Sequence, residues 1–407
     1  MLEAERVLLA AVAAVTERRI PPLCRSIPMH MLRRLLTLLL LTGIGQSALA
    51  GVLPDDRADV LYHRYEGGGV VIDGPSLLVR KKVSKDVSVV SNYYVDMISS
   101  ASIDVVTTAS PYTEERTQWS LGMDYLRGNT TLSTNYTSSI ESDFDAKTYS
   151  FGISQDMFGD MTTLSLSYSY GDNIVGMSTD DSFMEEATRQ TYAIGLTQIL
   201  SKNLITSLNI ETMTDEGYLN NPYRTVRYLD PSDVQGRGYS YQQELYPRTR
   251  TSNAVGFRAR YFLPYRAAIQ GEYRYFIDTW DIESHTGSLT YVHPWRDWTF
   301  EAAVRVHTQT GAHFFQDLFS RENATNFRGR DKELSPLTST TVKLMASYEF
   351  MDDGWSFIDR GAVTFSYDYL MIEYDEFRDL RVAAPVGEEP LFSMNSGVVQ
   401  LFFSFWY

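Results

Sequence analysis

The stretch VVQLFFSFWY (residues 398–407) decides how the rest of the chain is read. Val399, Leu401, Phe403, Phe405 and Tyr407 fall on alternate positions, the period of a strand that presents one apolar face. Gln400 and Ser404 fall on the other face, together with the less polar Val398, Phe402 and Trp406. Chain ends are ordinarily polar and frayed. Here a chain of 407 residues with a formal net charge of -15 ends on its greasiest segment, with an aromatic last.

The same period of two runs through the chain from about residue 60 onward. In MTTLSLSYSYG (161–171), Leu164, Leu166, Tyr168 and Tyr170 alternate with Thr163, Ser165, Ser167 and Ser169. In WTFEAAVRVHTQ (298–309), Trp298, Phe300, Ala302, Val304 and Val306 form one face. In NAVGFRARYFL (253–263), Val255, Phe257, Ala259 and Tyr261 do the same. Aromatics make up 13% of the chain, with 27 Tyr, a composition suited to pleated, half-buried surfaces. No segment of comparable length carries a helical stripe.

Short turns punctuate the strands at Ser84-Lys85-Asp86, Arg127-Gly128-Asn129, Phe158-Gly159-Asp160, Ser201-Lys202-Asn203, Pro264-Tyr265, Trp295-Arg296-Asp297 and Asp352-Asp353-Gly354. Gly, Asn, Asp and Pro supply their conformations. The other connections are longer: 100–114, 175–188, 215–250, 311–337 and 373–395. Short and long alternate, with one short exception near Glu283-Ser284-His285. All tight turns therefore lie at one end and the loops at the other, the arrangement of an outer-membrane barrel with short periplasmic turns and long extracellular loops.

The fold expectation is all-β: a transmembrane antiparallel β-barrel of sixteen strands, with residues 51–407 as one domain. Strands are expected near 60–72, 74–84, 86–99, 115–127, 129–140, 146–157, 161–174, 189–200, 203–214, 251–263, 266–281, 284–294, 297–310, 338–350, 355–372 and 396–407. The first is interrupted by Gly67-Gly68-Gly69, and fourteen strands would result if the N-terminal pair lay outside the barrel. An even count brings both termini to the periplasmic side. Only helices and closed barrels pair every backbone group inside hydrocarbon, and residues 51–407 hold no apolar helix of spanning length.

The one helix-like apolar run belongs to the first 50 residues. MLRRLLTLLLLTGIGQSALA (31–50) has a basic start at Arg33 and Arg34, a short apolar run and the small-x-small triplet Ala48-Leu49-Ala50. It reads as a cleaved signal peptide with Gly51 as the mature start, and residues 1–28 as the product of a start assigned too early. Cys24, the one cysteine, lies in the removed part, so disulfides and Cys-based metal sites are excluded from the rest. The acidic balance argues against nucleic-acid binding.

With apolar positions facing lipid, the alternate positions line the lumen: Arg258, Arg260, Glu272, Arg274, Asp278, Glu301, Arg305, His307, Lys343 and Glu349. Nearly every charge on the expected strands 251–263, 266–281, 297–310 and 338–350 shares one parity, as a wet interior requires. Such rows either set ion preference or pair across the lumen and brace it. Arg224, Arg227, Arg248 and Arg250 in the long 215–250 loop either bind lipopolysaccharide phosphates or another anion, or fold inward as a plug against wall carboxylates. No metal or dinucleotide motif appears, no cofactor is expected, and no catalytic residue is assigned. Asp278, Asp281, Glu283 and His285 at one rim would be the place for a hydrolase.

Several segments resemble an uncharacterised family of Gram-negative outer-membrane β-barrel proteins of similar length: DGPSLLVRKK (73–82), NYYVDMISSASIDVVTTASPYTEER (92–116), DEGYLNNPYRTVRYLDP (215–231), YPRTRTSNAV (246–255), YFLPYRAAIQGEYRYF (261–276) and RDKELSP (330–336). The resemblance implies a barrel encoded near flavin-transferase and thioredoxin-like proteins, and with them a tie to envelope redox work. It carries no residue role. The expectation is a monomeric barrel acting as a channel or transport component for a small solute. The alternatives are a non-conducting barrel that anchors periplasmic redox partners, and an outer-membrane hydrolase. The closing strand resembles the signal read by barrel-assembly machinery, with Phe403, Phe405 and Tyr407 as its apolar face and Trp406 and Tyr407 in the periplasmic aromatic girdle.

Overall fold

The computed structural model describes residues 52–100, 112–350, 354–355 and 357–407. Residues 1–50, where the signal peptide is expected, Gly51 and the Asp352-Asp353 part of one expected turn lie outside the described residues.

The barrel begins with β1 (Arg57–Gly67), β2 (Val70–Ser84), β3 (Val87–Ser100), β4 (Tyr112–Arg127) and β5 (Thr130–Ile140). It continues with β6 (Phe144–Met157), β7 (Thr162–Gly176), β8 (Met184–Ser201) and β9 (Leu204–Gly217). A separate hairpin follows, β10 (Thr225–Leu229) and β11 (Tyr239–Gln243). The wall resumes with β12 (Thr249–Phe262), β13 (Ala268–Asp278), β14 (Glu283–Trp295) and β15 (Trp298–Gln309). It ends with β16 (Leu337–Phe350), β17 (Arg360–Arg378) and β18 (Leu391–Trp406). Sixteen of these, all but β10 and β11, close into one antiparallel barrel, with β18 pairing back onto β1.

Closure settles the strand count at sixteen. Gly67-Gly68-Gly69 is not an interruption of the first strand but its turn: β1 stops at Gly67, and Gly68 and Gly69 take φ of 61° and 83°. Only a residue without Cβ enters that region cheaply, so the three glycines mark the hairpin itself. Short connections at the loop end therefore number more than the expected one: 68–69, 141–143 and 279–282. His285, expected at a turn, lies inside β14. Arg266, read as the start of a strand, sits in the 263–267 turn with φ of 69°.

The apolar face of the strands is exposed all round the wall. Leu121, Phe151, Ile194, Phe257, Val304 and Leu344 point outward, on β4, β6, β8, β12, β15 and β16. A continuous apolar belt of this size is unfavourable against water and fits hydrocarbon. The wall strands run from 11 to 19 residues, matching or exceeding the roughly 9–11 that cross a bilayer at a tilt. The protein is a transmembrane β-barrel. In β18 the outward set is Val399, Leu401, Phe403 and Phe405, with Phe403 opposite Val60 and Val363. Gln400 stands inward, opposite His63. Tyr407 ends the wall at the turn end, its ring under the Lys81 ammonium and its hydroxyl donating to Arg80 O at 3.1 Å.

Candidate functional site

The lumen wall is built from the parity that alternation places inside. On β13, Tyr273 and Ile269 are exposed while Phe276 and Asp278 are buried, so Glu272 and Arg274 project inward with them. Arg258 stands directly opposite Glu272 and its Nε donates to Oε2 at 2.9 Å. Arg260 stands opposite Gln270 and donates to Oε1 at 2.9 and 2.6 Å. Arg274 stands opposite Gly256. Arg305 stands opposite Ser288, and His307 Nδ1 is hydrogen-bonded to Thr286 Oγ1 at 2.8 Å. Lys343 reaches Glu301 at 3.4 Å and is registered opposite Asp368. Glu349 is exposed at the turn end, where its amide donates to Asp297 O at 2.8 Å. The inner surface is thus lined by acids and bases in cross-strand pairs.

A second lumenal group lies on the opposite stretch of wall. His63, Tyr94, Asp96 and Arg116 come from β1, β3 and β4 and are all buried. His63 Nε2 lies 2.7 Å from Asp96 Oδ1 and 3.0 Å from the Tyr94 hydroxyl, and the two rings stack at 5.0 Å. Arg116 pairs with the other oxygen of Asp96. Gly74 allows this: a Cβ there would lie 1.9 Å from Val95 O, so β2 and β3 approach only because position 74 has none. Sequence reasoning missed the group because its members sit on three strands. The one legible sign was a glycine–proline break, Gly74-Pro75, in an otherwise regular strand.

The loop end is filled by ordered chain. The 218–248 connection carries the β10–β11 hairpin and packs against the 310–336 connection. Their backbones bond to each other: Leu229 N to Phe319 O at 2.9 Å, Phe319 N to Arg227 O at 2.9 Å, and a reciprocal pair between Leu245 and Arg328. Inward wall residues Ala254, Phe276, Tyr374 and Phe392 share one buried apolar cluster with loop residues Tyr246, Trp280, Phe314, Phe315 and Leu334. The loops therefore dock into the barrel mouth rather than standing away from it. Burial of such aromatic side chains contributes about 1.5–3 kcal/mol each.

The four loop arginines do not converge on one anion site. Arg224 pairs with Asp331. Arg227 is wholly buried between Asp317 and Glu389, donating to Glu389 Oε1 at 2.5 Å and Oε2 at 2.9 Å. Arg248 meets Glu185 at 2.5 Å, and Arg250 meets Asp278 at 2.5 Å with its guanidinium over Trp280. Arg330, between Asp317 and the Phe377 ring, extends the same network. Glu244 accepts the Arg330 amide at 2.7 Å and the Tyr246 hydroxyl at 2.5 Å. Burial, reinforced by the charge of Asp331, pushes the Glu244 carboxyl up to about 7, against the pull of Arg224.

The rim acids and histidine expected for hydrolysis are split. Asp278 faces inward, accepts the amides of Trp280 and Ile282 at 2.8 and 3.0 Å, and holds the 279–282 turn together. His285 faces outward, with Tyr273 at 2.7 Å and Glu283 at 3.7 Å. Asp281 lies by His313, at 3.7 Å. Elsewhere on the loop end the carboxylates of Glu114, Glu141 and Asp143 lie within 4.8 Å of one another, a spacing a divalent cation could bridge. Two of them already accept hydrogen bonds, Glu114 from Ser142 and Asp143 from Tyr223. Burial and the neighbouring charge of Glu114 raise Glu141 to about 7.

The chain is similar in outline to several solved structures. A bacterial polysaccharide outer membrane secretin matches at 9% identity, covering 87% of this chain and 100% of that one, with a TM-score of 0.46. The siderophore receptor PirA from Pseudomonas aeruginosa matches at 10% identity over 87% of this chain, with a TM-score of 0.42, and the match spans 63% of the receptor's length. The CymD monoaromatic hydrocarbon channel matches at 8% identity, covering 87% and 89%, with a TM-score of 0.41. A search of the curated proteins found no match. The family model described as "Protein of unknown function (DUF3570)" matches residues 43–360, and the chain belongs to that family.

Proposed function

We propose that this barrel works in the bacterial outer membrane as a plugged channel, or a transport component, for a small solute. The observation that carries the reading is the combination of a charge-paired polar wall and an ordered plug held in the mouth by buried ion pairs. A closed scaffold has no need of a wet interior of mixed charge, whereas a solute path does. In this reading the turn end faces the periplasm and the plug faces outward. The outward Phe403 and Phe405 and the terminal Tyr407 suit recognition by barrel-assembly machinery, and the rim aromatics meet lipid and lipopolysaccharide. The test is single-channel recording of the folded protein in a planar bilayer, beside a variant lacking the β10–β11 hairpin. Small or rare openings in the intact chain and larger ones in the variant are expected. Silence in both, with a periplasmic redox protein co-purifying from envelopes, would replace the channel with an anchor.

A further inference from the structure

The free part of the lumen lies to one side. Inward side chains of β1, β3, β4, β13, β15 and β17 are packed away: His63, Tyr94, Arg116, Arg274, His307 and Ser366 are all buried. On β5, β7 and β9 the inward Ser133, Ser167 and Asn209 are exposed, and on β12 so are Arg258 and Arg260. An inward side chain is exposed only where protein does not fill the lumen beside it. Closer to the loop end the same stretch of wall is shut: Thr191, Met213, Asp215, Ser252 and Ala254 are buried, and Ala254 belongs to the apolar cluster beneath the plug. The free space is therefore a vestibule. It begins near the turn end at Arg260, reaches mid-strand at Ser167 and Asn209, and stops under the plug.

Its two edges differ in chemistry. Apart from Arg189, the inward positions of 131–139, 146–154, 163–173 and 187–197 are all Ser, Thr, Asn, Gly or Ala. Ser133 Oγ fills the place that a Cβ on Gly152 would take, and Ser165 Oγ does the same at Gly195. These hydroxyls thus lie flat on the wall and leave the lumen its width. The β12 edge carries guanidiniums. Arg258 and Arg260 share one face of the strand, about 7 Å apart along it. Arg258 gives one N–H to Glu272, and Arg260 gives two to the neutral amide of Gln270. A guanidinium holds five N–H groups in a planar fork, so most of both remain for the vestibule. The neighbouring acids are engaged or closed off: Glu272 on Arg258, Glu301 on Lys343 at 3.4 Å, and Glu211 with its Oε1 shut away from solvent. Asp156, at the mouth, accepts the Thr163 hydroxyl at 2.6 Å.

We infer that this vestibule receives a small oxyanion, a carboxylate or phosphate group held by the forks of Arg258 and Arg260, with the hydroxyl wall of β5 to β8 bonding the rest of the solute. The inference deepens the transport reading and rests on it, by giving the solute a class. A planar fork matches paired oxygens bidentately. Serine and threonine hydroxyls both donate and accept, so they replace the solute's hydration without fixing its orientation. A cation instead meets Arg260, whose partner is neutral, and is turned back.

The experiment reads the charge preference of the vestibule directly. The full barrel carries Ser167→Cys, with Cys24 replaced by serine. Its thiol is modified with two methanethiosulfonates, one bearing a sulfonate and one a trimethylammonium group. Free 2-mercaptoethanol corrects for intrinsic reactivity. After that correction the anionic reagent should react about tenfold faster. Arg258→Gln with Arg260→Gln should bring the ratio near one. Arg258→Lys with Arg260→Lys should keep the ratio but weaken protection by oxyanions. Malonate or inorganic phosphate, compared with chloride at equal ionic strength, should slow the anionic reagent, and the stronger of the two tells a carboxylate from a phosphate. Asn209→Cys serves if the first variant does not fold. A thiol that neither reagent reaches, a ratio unmoved by the glutamines, or equal effects of the three anions overturns the inference. Conductance separates the two readings. A conducting barrel without the preference keeps the transport reading and loses the oxyanion. A silent barrel with the preference and the protection keeps the receptor and loses the path.

Discussion

Arg227 and Glu389 are 162 residues apart in sequence and joined in the plug by two hydrogen bonds of 2.5 and 2.9 Å, with the Arg227 side chain fully removed from solvent. Asp317, from a third loop, completes the group and shares its carboxylate with Arg330. Three connections that are independent along the chain thus become one body. A buried pair of this kind gives little net stability, but removing one partner leaves a buried charge unmatched.

Arg227→Ala should therefore loosen the plug by about 3–5 kcal/mol while leaving the wall folded. Its expected signs are protease cleavage within 218–248 and a higher open probability in planar bilayers. Replacing Arg227, Asp317 and Glu389 together with apolar residues should restore protection. Unchanged cleavage in the single variant would show that the apolar cluster holds the loops alone.

Plug stability should fall as pH rises. The folded Glu244 carboxyl sits at about 7, raised by burial and then by Asp331, with Arg224, the Tyr246 hydroxyl and the Arg330 amide opposing. Because the folded state holds this proton more tightly than the unfolded loop, its contribution is full below the ordinary carboxylate pKa of about 4.3 and is lost as pH passes through about 7. Hydrogen exchange of the 218–248 amides should be slower at pH 5.5 than at pH 8 after correction for intrinsic rates. Glu244→Gln should flatten that difference, and an equal slope in both proteins would assign it to another group.

Two glycines should respond in opposite ways. Gly74→Ala puts a Cβ 1.9 Å from Val95 O, so β2 and β3 must part and His63 must leave Asp96. A cost of about 1–3 kcal/mol is expected, seen as a lower temperature for the shift from folded to unfolded electrophoretic mobility. Gly287→Ala meets nothing within 4 Å and should be neutral or slightly stabilising, because alanine loses less backbone entropy. Similar shifts in both would mean the close approach at Gly74 relaxes freely.

Deleting Trp406 and Tyr407 should lower the amount of folded protein in the outer membrane. Trp406 is capped by the guanidiniums of Arg360 and Arg57 at 4.2 and 5.9 Å, and Tyr407 is clamped by Lys81 and Arg80 where β18 returns to β1 and β2. The loss has two separable causes. Trp406→Ala with Tyr407→Phe keeps the terminal aromatic and its Lys81 contact but removes the Trp406 cation–π contacts and the bond to Arg80 O, so normal levels there would point to recognition and low levels to closure.

Alternation in VVQLFFSFWY and its counterparts, with the order of short and long connections, was enough to determine a β-barrel of sixteen or fourteen strands, and the pairing of β18 with β1 decided sixteen. A strand's period is local, and the bilayer imposes one rule on every strand. That is also why Arg258 and Glu272 could be assigned to one lumenal face before any coordinates, and the register then set them opposite one another. Two features were decided by tertiary structure alone. The loop arginines each met a carboxylate: Arg224 and Arg227 reach Asp331, Asp317 and Glu389 only once the loops dock on the aromatic cluster, and Arg248 and Arg250 meet Glu185 and Asp278 of the wall. His63, Tyr94, Asp96 and Arg116 gathered through a backbone approach at Gly74 that no pairing rule encodes.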